Sequence, residues 1–206
     1  MLTYDSWLNN WRYFFNLCSR FENTIQFVDD KTDGNGDFIN GNTFSNEFAM
    51  ILLSASVEFE NVSKQLCEYF DSNFNTSKAD IRQITDCILM YCPNIGSAEV
   101  ELPHISIQPL KNWKKSPTTN KVDGIDWWTG YTDIKHNRYV NFEEANLRNC
   151  IYALASLLVI ELYGSQEVDK NSTNQPAKKE LSTNLCSYFS FNYLRGLYLL
   201  NPKPLP

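Results

Sequence analysis

Histidine is scarce in this 206-residue chain, with only His104 and His136 present. A Ser-His-Asp arrangement or a histidine-rich metal site therefore has little material to draw on. Cysteine occurs six times, at positions 18, 67, 87, 92, 150 and 186, and never as Cys-x-x-Cys. Structural zinc sites pair close Cys or His ligands, so no metal ligand set is read from the sequence. Gly-x-Gly-x-x-Gly, a Walker loop, a Gly-x-Ser-x-Gly elbow and His-Glu-x-x-His are all missing. These absences remove the usual cues for dinucleotide, nucleotide and zinc chemistry, and no cofactor is expected.

Positive charge is in short supply as well. Eighteen Lys and Arg stand against 24 Asp and Glu, for a net charge of −6. That balance disfavours broad electrostatic attraction to nucleic acid and leaves open only a local basic patch. The start, Met1-Leu2-Thr3-Tyr4-Asp5, lacks a basic segment leading into an apolar one, so no signal peptide is read. The most apolar window, 150–160, is about half of the ~20 residues needed to span a bilayer and predicts a core helix. A cytoplasmic protein with reduced thiols and no membrane partner is expected. Its 43% apolar and 14% aromatic content fits one folded domain.

Apolar spacing supplies the elements. Trp7, Trp11, Phe14, Phe15 and Cys18 predict an amphipathic helix over 4–20, and 24–28 reads as a short strand. Residues 29–42 are turn-rich. A long helix is expected over 43–71, with the stripe Phe48, Ile51, Leu52, Ala55, Phe59, Val62, Leu66 and Phe70. A shorter one follows over 77–91, started by Ser77 with Asp80 and stopped by Pro93 and Gly96. Short edge strands are expected in 98–110, and a polar connector over 111–121. A helix over 127–136 and a last helix over 141–163, opened by Asn141 with Glu144, complete the core. Residues 165–182 read as a polar loop, and the tail 183–206 as a docked strand or short helix. The fold class is mainly α: a bundle of four to five helices with a small β appendage, its core at about 43–163.

The chemistry concentrates in Trp127-Trp128-Thr129-Gly130-Tyr131-Thr132-Asp133-Ile134-Lys135-His136-Asn137-Arg138. On a helix, Trp127, Tyr131, Ile134 and Arg138 share one face, and Trp128, Tyr131 and Lys135 an adjoining one. Lys135, His136 and Arg138 with Trp128 and Tyr131 form the candidate binding set, suited to a phosphate or an RNA backbone. His136 is the candidate general acid or base, with Arg138 and Glu58 as the other candidate catalytic groups. Glu58 lies at the edge of the long helix's stripe, placed to reach His136 or Arg138 across the bundle. Asp133 stands three residues before His136 and offers it a second carboxylate. The bland alternative is that the tryptophans fill the core while the cations cap a helix end, worth roughly 0.3–1 kcal/mol each. The Asp33-Gly34-Asn35-Gly36-Asp37 run imitates a calcium loop, but neither frame supplies the bidentate Glu at position twelve, so it reads as a turn.

Trp127-Trp128-x-x-Tyr131-x-x-x-Lys135-His136-x-Arg138, followed by Phe142, Ala145 and Asn149, resembles a bacterial branch of the HEPN-like superfamily of helical domains. Phe44-Ser45-Asn46-Glu47-Phe48 through Glu58 and Lys64 extends the resemblance, which covers about 43–163. The resemblance implies four or five helices, frequent homodimers, and a polar groove between the two longest helices. It also implies settings of bacterial defence or toxin–antitoxin pairs. Ribonuclease members carry Arg, four to six residues, then His. No arginine stands at that distance before His104 or His136. The expected function is therefore that of a binding or regulatory protein, with RNA or a neighbouring effector protein as partner. A degenerate ribonuclease using His136 and a purely structural scaffold are the alternatives.

Overall fold

Five α-helices carry residues 4–170, which the computed structural model describes together with Phe189. Helix α1 (Tyr4–Ile25) buries Trp7, Trp11, Phe14, Cys18 and Phe21 on one side. Spacings of four and three carry that stripe on to Ile25, so the helix takes the first two residues of the strand expected over 24–28, and 26–28 form a turn instead. Helix α2 (Asn46–Phe70) starts at Ser45, whose Oγ accepts the Phe48 N–H at 3.0 Å. Its stripe from Phe48 to Leu66 is buried as the spacing predicts.

Helix α3 (Ile81–Tyr91) is opened by Asp80 rather than Ser77. The Asp80 carboxylate accepts first-turn amides while the Gln83 side chain accepts the Asp80 N–H, a reciprocal capping box. Strands β1 (Val100–Glu101) and β2 (Ser106–Ile107) pair antiparallel, as expected for 98–110. Residues 111–121 are not a plain connector. They lie in a hairpin of β3 (Lys114–Lys115) and β4 (Val122–Asp123), anchored by Trp113, whose indole N–H donates to Thr85 Oγ1 at 2.9 Å. Gly124 closes its base at φ +81°, where a Cβ would fall 2.1 Å from the Asn112 backbone.

Helix α4 (Asp126–Asn137) follows, and α5 (Leu147–Lys170) ends the described core. The last helix starts six residues later than expected. Asn141 turns its amide back onto the Asp133 carbonyl at 3.1 Å, residues 142–144 form one 3-10 turn, and Asn146 Oδ1 accepts the Asn149 N–H at 2.9 Å. The helix also runs on through 170, where a polar loop is expected. Ser165, Gln166, Glu167 and Val168 are buried in it, so polar letters here report an interior rather than a surface. Residues 171–182 and most of 183–206 lie outside the described residues. Phe189 is buried, 5.6 Å from the ring of Phe21.

Helices α2 and α5 form the central pair. Cys150 Sγ lies 3.2 Å from the Phe48 carbonyl near their starts, and Glu58 acts on Glu161 further along, so the two run parallel. Helix α1 lies antiparallel to both: Phe21 meets Phe48 at 6.3 Å, while Trp7 and Trp11 reach Ser165 near the other end. Helix α4 is antiparallel to α2, with Trp127 edge-on to Phe59 at 5.1 Å and Arg138 at Asn46. Helix α3 packs on α2 through stacked Phe70 and Tyr91, 4.8 Å apart. The chain is thus a helical bundle carrying small two-stranded sheets.

Ser165 Oγ accepts both the Trp7 and Trp11 indole N–H groups, at 2.6 and 3.0 Å. Ser165→Ala strands two buried donors and is expected to cost about 2–4 kcal/mol, against about 1 kcal/mol for Ser45→Ala at the α2 cap. Urea midpoints of the two variants check this. A Ser165→Ala loss no larger than that of Ser45→Ala would show that the shared acceptor does not hold α1 to α5.

Candidate functional site

The Trp-to-Arg motif divides between core and surface. Trp127, Tyr131 and Ile134 are buried on one face of α4. Trp128 is half-buried, its ring 4.9 Å from Tyr131, 5.8 Å from Trp127 and 6.3 Å from Phe59. Of the expected binding set, Trp128 and Tyr131 therefore belong to packing. The Tyr131 hydroxyl accepts a hydrogen bond from Lys135 Nζ at 3.3 Å, which ties the buried face to the exposed cation.

The cationic half emerges where α4 ends. Lys135, His136 and Arg138 are all exposed. Lys135 and His136 occupy the last turn, where the carbonyl end of the helix favours positive charge. Lys135 Nζ sits 5.4 Å from the Tyr131 ring centre. Arg138 lies 5.1 Å above the Phe142 ring and donates to the side-chain oxygen of Asn46, the first residue of α2. A cation over an exposed ring contributes roughly 0.5–1 kcal/mol. Among the described residues, Asp133 and His136 make no ion pair.

Asn46, Arg138, Tyr139 and Phe142 line a shallow depression of about 520 Å³. Phe44 packs edge-on to Phe142 at 5.5 Å and is half exposed. Tyr139 is 96% exposed and Val140 63% exposed. Arg138 thus borders an aromatic surface made by the chain ahead of α2, the end of α4 and the 142–144 turn, with Lys135 and His136 exposed one turn back along α4. Sequence reasoning gives Tyr139 and Val140 no role. Their signal is the break in helical spacing after Ile134, which leaves two large apolar side chains on neither core stripe.

Glu58 does not join this cluster. Asn46 and Glu58 are twelve residues apart on α2, about 18 Å along the axis, and His136 stands eight residues past Trp128, about 12 Å along α4. Glu58 instead borders a separate depression with Asn10, Asn61, Lys64 and Gln65. The acid–base trio of Glu58, His136 and Arg138 expected from the sequence is not assembled, because the antiparallel course of α4 on α2 places its Lys-His-x-Arg end at the α2 start. The Asp33 turn is organised from within: its carboxylate accepts the amides of Asp37 and Asn35, which hold it below its ordinary value, while Asp37 pairs with Arg148 at 2.8 Å.

Behind Glu58, α5 contributes Glu161, fully buried and, among the described residues, with no hydrogen-bond partner on either carboxylate oxygen. Loss of water raises its pKa well above the ordinary value, and the Glu58 charge raises it further. Glu58 itself is raised by its own partial burial, with Asn61 opposing. A carboxyl whose folded pKa is raised gives its full stability below the unfolded value of about 4.5 and loses it as pH rises through the folded value. Between those values the loss is about 1.4 kcal/mol per pH unit. Urea unfolding from pH 5 to 9 is expected to show wild-type stability falling with pH, and Glu161→Gln flattening that fall. An unchanged slope in Glu161→Gln would assign the decline to other groups.

No family model, curated protein or solved structure matches this chain.

Proposed function

We propose that this chain is a cytoplasmic binding protein of HEPN-like type. It engages a protein partner, such as a neighbouring effector in a bacterial defence or toxin–antitoxin setting, through the end of α4. The observation that carries this reading is Tyr139, 96% exposed and flanked by Lys135, His136 and Arg138. Exposed aromatic rings beside an arginine are the composition that concentrates binding energy at protein interfaces. Lys135 and Arg138 on a chain of net charge −6 favour a partner that presents carboxylates. The reading treats α5 as a core helix. Its Leu147–Val168 stretch is long and apolar enough to cross a bilayer, and 89% of its apolar window is buried within the bundle.

RNA is the second reading, favoured by the same ring: single strands stack bases on exposed aromatics while cations take the phosphates. One experiment separates the two. A photo-crosslinking phenylalanine analogue replaces Tyr139 in cells, with the same analogue at exposed Met90 on α3 as control. The expected result is a crosslink to a polypeptide, specific to position 139, resistant to ribonuclease, and reduced about tenfold by Lys135→Ala/Arg138→Ala, equivalent to about 1.4 kcal/mol. A ribonuclease-sensitive adduct transfers the surface to RNA. Equal crosslinking from positions 139 and 90 refutes a dedicated surface.

A further inference from the structure

At the opposite end of α4, a cleft of about 280 Å³ lies between the hairpin base, the α4 start and the α5 start. Lys111, Asp126, Trp127, Arg148, Asn149 and Tyr152 line it. Asp126 and Arg138 stand twelve residues apart, so about 18 Å of helix separates this cleft from the aromatic surface. Gly124, at φ +81°, lets the chain pass close against Asn112 and so brings the Lys111 segment to the α4 start. Donors stand unspent around the cleft. Ile125 precedes α4 without a side-chain cap, and the Asp126 and Trp127 amides meet no acceptor among the described residues. The Trp127 side chain is fully buried, and its indole N–H also finds no acceptor among the described residues. A buried donor left so costs about 1–3 kcal/mol, which an incoming oxygen recovers. Lys111 is exposed, and Arg148 gives one guanidinium nitrogen to Asp37 at 2.8 Å, leaving the rest of its fork.

Acceptors are set among these donors. Asn149 is buried, and its amide nitrogen is spent on the Glu144 carbonyl and carboxylate at 2.9 and 3.0 Å, so its Oδ1 is what it offers a ligand. Asp126 adds a carboxylate. Lys111 and Arg148 are thus balanced by Asp126 and by Asp37 on the Arg148 fork. A bare anion gains little from such a balance, whereas a small molecule carrying both signs pairs with both. The volume lies just under the ~300 Å³ at which pockets for drug-sized ligands begin, which limits the occupant to a small metabolite. We propose that this cleft binds a free amino acid. Its carboxylate is taken by Lys111, Arg148 and the Trp127 indole N–H, its ammonium by Asp126 and Asn149 Oδ1, and its side chain lies along the half-buried Tyr152 ring. The site is separate from the partner-binding surface and does not depend on it.

The test reads the indole region of a nitrogen–proton correlation NMR spectrum of the full-length protein, where each of the five tryptophans gives one signal. Trp7, Trp11 and Trp113 already donate to Ser165 and Thr85 and serve as internal references. The common amino acids are added singly, with acetate and inorganic phosphate at equal ionic strength as controls. The expected result is saturable movement of the Trp127 signal by at least one amino acid, with Kd about 1 mM or tighter and the reference signals fixed. Amidating the carboxyl of that amino acid, acetylating its amine, or Lys111→Gln each weakens binding about tenfold. Unmoved reference signals report that the Lys111→Gln chain is folded. The proposal is overturned by a Trp127 signal that no amino acid moves at about 10 mM. It is also overturned by acetate or phosphate moving that signal equally, or by the acetylated form binding as tightly as the free amine. The wild-type titration alone decides between these outcomes, so refutation does not require a folded variant.

Discussion

The start of α2 is tied to the start of α5 by three backbone hydrogen bonds, and the remaining architecture follows from them. Ser45 N–H donates to the Ala145 carbonyl at 3.2 Å, Leu147 N–H to Thr43 at 3.0 Å, and Arg148 N–H to Gly41 at 3.0 Å. Two chain segments a hundred residues apart thereby pair in an isolated bridge at Phe44 and Asn146 just before both central helices begin. The two segments cross that bridge antiparallel, yet both central helices begin beside it and run parallel, and α1 and α4 fill the flanks antiparallel to them. The same bridge sets Phe44 beside Phe142 and Asn46 within reach of Arg138. The candidate surface is a direct product of the constraint that orders the core.

The parallel pair carries a cost. Ser56 and Ser63 on α2, and Ser156 and Glu161 on α5, are buried with side-chain oxygens that find no partner among the described residues. Each such group costs about 1–3 kcal/mol, and a carboxyl escapes the higher charge of its ionised form only by keeping its proton. The offset comes from the aromatic burial around the pair: Phe48 and Phe59 on α2, Trp7, Phe14 and Phe21 on α1, and Trp127 on α4. Burial of a polar α5 end is sustained in part by Ser165, which accepts the Trp7 and Trp11 indole N–H groups at once.

The fold was legible where helical spacing persists over several turns. Trp7 to Cys18, Phe48 to Leu66 and the run from Cys150 onward read directly as buried faces, because burial of a stripe decides those elements. Two of the misread segments are decided by a distant contact. Residues 24–25 look β-prone by composition yet continue the α1 stripe. The 113–123 hairpin rests on Trp113 reaching Thr85, and the 165–170 helix on Ser165 serving rings some 150 residues away. The candidate site was half legible. Spacing alone placed Trp127, Tyr131 and Ile134 together, but it could not say that their face is interior while Lys135 and His136 emerge. Pairing Glu58 with His136 required the relative direction and offset of α4 and α2, which no local pattern encodes.

The division of the motif bears on whether its cations serve folding or binding. Lys135 on Tyr131, Arg138 on Phe142 and Asn46, and the favourable helix end each stabilise by no more than about 1 kcal/mol. Those contacts account for cations at this position, so the charges alone do not require a partner. Tyr139 and Val140 are different. Burying a large apolar side chain is worth about 1.5–3 kcal/mol, and Tyr139 forgoes nearly all of that at 96% exposure. A loop tip needing only polarity and turn geometry is ordinarily filled by Asn, Asp, Ser or Gly. An aromatic and a β-branched residue held outward there, beside half-exposed Phe44, contribute little to the isolated fold. They gain their burial only when another molecule covers them, so they support the binding reading more strongly than the basic residues that first draw attention to it.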